Sequence, residues 1–116
     1  MTGAATRDAT RRDIRRILGP GGAASAVLTG YEARPGQLAM AERIADAIEG
    51  NERVLIEAGT GTGKTLAYLV PALLSGRKVV ISTGTKTLQD QIATVDLPRL
   101  RTIYEYAKLE SPIVWT

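Results

Sequence analysis

The run Ala58-Gly59-Thr60-Gly61-Thr62-Gly63-Lys64-Thr65 constrains this chain more than any other feature. It follows an apolar segment, Val54-Leu55-Ile56, and leads into an amphipathic stretch from Leu66 to Leu74. A strand that stops in a glycine-rich turn and opens a helix is the setting in which G-x-x-x-x-G-K-[ST] binds phosphate. Glycine lets the backbone approach an anion closely and adopt positive φ, because it has no Cβ to clash. The amides of Gly61 through Thr65 are expected to face phosphate oxygens at the positive end of the new helix. Lys64 is then expected to neutralise the β- and γ-phosphates of a nucleoside triphosphate, and the Thr65 hydroxyl to hold Mg²⁺. The first position of the pattern holds Ala58 instead of glycine. The tight approach falls on Gly61 and Gly63, and Gly59 restores flexibility one residue later.

The remaining composition removes several chemistries. With 116 residues and 44% apolar content, the chain suits one globular domain at most. It contains no cysteine, so it can supply no disulfide, no thiolate zinc site and no iron–sulfur cluster ligand. It contains no histidine, the commonest general base. The formal charge of +3 is compatible with nucleic acid without arguing for it. The longest largely apolar stretch, Leu66 to Leu74, is too short for a membrane span and contains Pro71. No apolar signal core begins the sequence, so a cytoplasmic protein is the expectation.

Hydrophobic spacing predicts the elements. Residues 1–30 read as a basic helix, about Asp8 to Leu18, followed by a Gly19-Pro20-Gly21-Gly22 break and a linker. Its arginines (Arg7, Arg11, Arg12, Arg15, Arg16) read first as a solvated face and second as a phosphate contact. From residue 31 to 116 the pattern is α/β. A helix is predicted over 35–49 with Gly50 at its end, a strand over 53–57, and a helix over 64–74 with Pro71 as a kink or last turn. A second strand is predicted over 78–82, a helix over about 85–93, a helix from Pro98 to about Lys108, and a short strand at Ile113-Val114-Trp115. Nearly continuous apolar strands suit a short parallel sheet flanked by helices.

Three separated pieces carry a resemblance: Tyr31-Glu32-Ala33-Arg34-Pro35-Gly36-Gln37, then Glu57 through Thr65, then Ile81-Ser82-Thr83-Gly84-Thr85-Lys86-Thr87-Leu88-Gln89-Asp90-Gln91. In order and spacing, from about Tyr31 to Leu97, the chain resembles the start of superfamily-two DNA helicases of the DinG/XPD type. The resemblance implies a partial RecA-like P-loop NTPase domain that uses ATP and Mg²⁺, with single-stranded DNA and the remainder of a helicase as partners. It implies that Arg34 and Gln37 belong to an adenine-sensing segment, in which a side-chain amide can serve both a donor and an acceptor on the base. Tyr31 or Arg34 is then placed to flank the base. It also implies that Thr83, Thr85 and Lys86 touch the DNA backbone, although helix capping alone accounts for the threonines.

The departures are equally definite. A helicase of this type needs an Asp-Glu-Ala-His motif after a third apolar strand, to hold Mg²⁺ and activate water. The sequence has none. Asp96 follows a single valine and Glu105 falls in a helical pattern, so neither qualifies. The second motor domain is also missing, so the expectation is an N-terminal fragment that binds nucleotide with little turnover. The alternative is a non-enzymatic nucleotide- or DNA-binding module.

Overall fold

The structure, a computed structural model, describes residues 3–58 and 63–109, with side chains from residue 7 onward. Six α-helices and one π-helical segment make up the ordered elements: α1 (Gly3–Leu18), α2 (Ala23–Val27), α3 (Pro35–Glu49), α4 (Lys64–Leu74), α5 (Lys86–Gln91), the π-helical segment (Ile92–Asp96) and α6 (Leu97–Tyr106). α3 and α4 fall where 3.6-residue spacing puts them. Pro35 occupies the first turn of α3, where its missing N–H costs nothing. Pro71 lies in the last turn of α4. α3 ends at Glu49 as its spacing predicts, but the left-handed position falls one residue beyond the glycine. Gly50 is the cap, and Asn51 behind it takes the left-handed conformation at φ 54. The Asn51 and Glu52 amides close the helix on Ile48 O and Ala47 O.

The core gathers one face of each major helix. Ile14, Ile17 and Leu18 of α1 meet Ala41 and Ala45 of α3, Ala67, Leu69 and Val70 of α4, and Leu100, Ile103 and Tyr104 of α6. The buried positions of α3 are mostly alanines, which lets α1 and α4 approach it closely. Tyr104 is buried and donates its hydroxyl proton to Val70 O at 3.3 Å, so its polar end is not orphaned. The arginines of α1 do what composition did not reveal. Arg11 bonds Glu42 at 2.8 Å and also pairs with Asp46, and Arg15 reaches Glu42 at 3.2 Å. These pairs pin α1 along α3, each contributing about 0.2–1 kcal/mol where it is exposed to solvent. α2, in the stretch taken for linker, packs Ala23 and Ala24 into the core.

The expected α/β fold with a parallel sheet does not form: among the described residues there is no strand. The segments 53–57 and 78–82 carry no ladder, and their apolar side chains face outward, with Leu55 99% and Val80 89% exposed. The reason is physical. A helix closes its hydrogen bonds within itself, whereas a strand exists only when a neighbour takes its amides and carbonyls. Apolar content makes such pairing favourable but supplies no partner. The third strand proposed, at Ile113-Val114-Trp115, lies outside the described residues.

Candidate functional site

The site is built where α4 begins. Gly59, Thr60, Gly61 and Thr62 lie outside the described residues; Ala58 and Gly63 bracket them. Gly63 takes φ +73 and ψ +42 and serves as the N-cap of α4, and as a glycine it supplies no side-chain cap. The first intrahelical bond is Ala67 N to Gly63 O, at 3.1 Å. The amides of Lys64, Thr65 and Leu66 therefore have no helical partner. Lys64 is exposed, and Thr65 is half-buried.

Two side chains fix this helix start from outside. Gln37, in the first turn of α3, is 3% exposed. Its Nε2 donates to Gly63 O at 3.2 Å, and its Oε1 lies 2.5 Å from the Tyr31 hydroxyl. The chemistry fixes the amide orientation: a flipped amide would set its oxygen against the Gly63 carbonyl, acceptor against acceptor. The Tyr31 hydroxyl thus donates to Gln37 Oε1, with Leu18 O at 3.1 Å as its other acceptor. Burial pushes the Tyr31 phenol up, which keeps the donor protonated; nearby Arg34 opposes this weakly. A Cβ added at Gly63 would stand 2.2 Å from Gln37 Nε2. The glycine is thus needed both for its backbone angle and for the approach of Gln37.

The second support is Tyr68, one turn into α4. Burial pushes its phenol up, and a hydrogen bond with the Thr65 side chain pulls it back. Asp96, at the end of the π-helical segment, raises it further. Asp96 is itself buried, its Oδ2 has no hydrogen-bond partner, and burial pushes its carboxyl up, against the pull of Arg99. A threonine hydroxyl has one proton and two lone pairs, the chemistry needed to coordinate a cation.

The expected nucleic-acid residues stand together at the start of α5. Thr85 caps α5, accepting from Leu88 N at 3.1 Å, and the Thr83 hydroxyl donates to Thr85 O at 3.0 Å. Both hydroxyls serve the local turn. Lys86, the first residue of α5, is exposed. Arg34 is the exposed N-cap of α3. Spacing alone did not reveal the Tyr31–Gln37–Gly63 chain or the Thr65–Tyr68 bond. The first joins residues 26 positions apart, and its only trace was that both ends fall inside motifs.

A family model described as DEAD/DEAH box helicase matches residues 34–109. The chain belongs to the DEAD/DEAH box helicase family. Within the family it is similar to the ATP-dependent DNA helicase YoaA of Haemophilus influenzae, with 48% identity over 88 residues, 76% of this chain and 14% of that protein. It is similar to the 3'-5' exonuclease DinG of Bacillus subtilis, with 44% identity covering 72% of this chain and 10% of the relative. The ATP-dependent helicase DinG of Mycobacterium tuberculosis H37Rv is 49% identical over 71 residues, 58% of this chain and 11% of that protein. The chain thus spans about a tenth to a seventh of these relatives. Their names differ, helicase in two and exonuclease in one. No solved structure matches the chain. Among the described residues no helix is long and apolar enough to cross a membrane, and no group of three His, Cys, Asp or Glu side chains could hold a metal.

Proposed function

We propose that this chain carries the nucleotide-binding start of a DNA helicase motor, with ATP and Mg²⁺ held at the Ala58–Thr65 turn. The observation that supports it is the beginning of α4: amides with no intrahelical partner behind a left-handed Gly63, with Lys64 exposed and Thr65 in the first turn. Those residues fit a polyphosphate. Amides without helical partners and an ammonium suit its oxygens, and a hydroxyl suits the hard cation that accompanies it. In this reading Lys64 and Thr65 hold the terminal phosphates and the Mg²⁺, and Gly61 and Gly63 allow the close backbone approach. Bound ATP supplies the phosphoryl group whose hydrolysis, in a full-length relative, drives movement along DNA.

Gln37 acts first as a positioning residue: it holds the Gly63 carbonyl and so the entry of α4. For Gln37 to read adenine as well, its amide must exchange Tyr31 or Gly63 for the base. Lys86, beside the Thr83–Thr85 turn, is the residue of α5 best placed for a DNA phosphate. The sequence has no Asp-Glu-Ala-His segment to activate water, so binding without appreciable turnover is the expected behaviour of these 116 residues. That same absence supports the second reading, a nucleotide- or DNA-binding module that performs no catalysis.

Calorimetry with Mg·ATP on the wild type and on Lys64→Ala tests the site. A clear loss of affinity in the variant is expected, and equal affinity rejects the assignment. ATPase assays with single-stranded DNA separate the two readings from full catalysis, because robust turnover would require a carboxylate that neither of them contains.

A further inference from the structure

We infer that the groove between the C-terminal halves of α1 and α6 is a second contact for single-stranded nucleic acid. It is made by elements other than the α4 and α5 starts, and it does not rest on the nucleotide reading. The groove has a volume of about 520 Å³, and Arg15, Arg16, Gly21, Tyr106 and Lys108 line it. Three cationic side chains and an aromatic ring therefore share one open hollow, and Tyr106 is 61% exposed. Backbone-tracking cations beside a free ring are the elements that hold unpaired strands without reading their sequence.

Lys108 carries the argument further. α6 ends in two reverse hydrogen bonds, Lys108 N to Glu105 O at 3.1 Å and Leu109 N to Tyr104 O at 2.9 Å. Such an ending puts its next residue in the left-handed conformation, where glycine is the residue of least strain. Among the described residues six positions have positive φ: four are glycine, one is Asn51, and the sixth is Lys108 at φ 57. A lysine there opposes the local backbone preference, although a cation just past a helix C-terminus also complements the helix dipole. Lys108 is exposed and lines the groove.

The opposing charges are limited. Arg15 keeps its Nε on Glu42, and Arg16 pairs with Asp13 at 3.4 Å while also donating to Ala107 O at 2.8 Å. Glu105 lies beside Tyr106 in sequence and is exposed. Both arginines remain more than half exposed, at 62% and 56%, so their outer faces are available to a phosphate. The exposed ring distinguishes a strand of bases from an acidic peptide, which has no planar group to stack on it.

Fluorescence titration of the 116-residue chain with oligothymidine, an abasic strand of the same length and a polyglutamate peptide tests the assignment. Lys108→Gly is the decisive variant, because it removes the ammonium while suiting the backbone. Its urea midpoint is expected to equal or exceed that of the wild type. Its log–log salt slope for oligothymidine is expected to fall by about 0.7, one phosphate contact. Tyr106→Ala is expected to weaken oligothymidine about tenfold and leave the abasic strand unchanged. Wild-type affinity and slope in both variants would overturn the inference, as would polyglutamate binding as tightly as oligothymidine. Loss of binding in Lys86→Ala alone would move the contact to α5, and the Mg·ATP titration of Lys64→Ala reads the nucleotide site independently.

Discussion

Gly63 is the residue on which the candidate site turns. Its φ of +73 is a region that residues with a Cβ enter at a cost of about 1–2 kcal/mol. An added Cβ would also collide with Gln37 Nε2. Gly63→Ala is therefore expected to lower stability by more than 1 kcal/mol in urea denaturation. Combining it with Gln37→Ala should recover only part of the loss, since truncation removes the collision but not the backbone strain. Full recovery in the double variant would show that the left-handed angle carries no cost. Asp96 gives a prediction of opposite character. Burial raises its carboxyl above the ordinary value, so the folded state binds this proton more tightly than the unfolded chain does. The group is neutral in both states below the usual carboxylate range and then costs nothing. As pH rises through the unfolded and then the raised folded value, stability falls, and the penalty stays at neutral pH. Asp96→Asn is expected to unfold at higher urea than the wild type at pH 7, with the advantage vanishing toward pH 3. An unchanged difference across that range would show that the charge is not what destabilises.

Among the elements, the division between what could be read and what could not follows the range of the forces. α3 and α4 were legible because a helix is specified by its own spacing and ends: Pro35 at the start of one, Gly63-Lys64 at the start of the other. The two strands were misread because Val54-Leu55-Ile56 and Val79-Val80-Ile81 state a preference for pairing and cannot state a partner. α2 was missed because Ala23-Ala24-Ser25-Ala26-Val27 is too short and too weakly patterned to stand out from a linker. The α1 arginines were misweighed because Glu42 and Asp46, their partners, lie more than 25 positions away. The Gln37–Gly63 bond has the same origin. Motif and helix are properties of neighbours in the sequence, whereas the supports of the site are properties of the packing.

For the whole molecule, the consequence is a chain whose helical side is satisfied and whose other side is not. Ile14, Ile17, Leu69, Val70, Leu100 and Ile103 are essentially removed from water. Leu55, Val80, Val54, Val79 and Ile81 are exposed to between 39% and 99%. Two such segments, apolar, exposed and without a ladder among the described residues, are a usual setting for association between chains. By themselves the 116 residues are expected to associate increasingly as concentration rises, in sedimentation velocity. Leu55→Asp and Val80→Asp together should suppress that association. The circular dichroism helix signal should not change, because neither side chain touches the helical core. If the double variant sediments like the wild type, the association has another source. If it loses helix, the segments support the core in a way their exposure does not show.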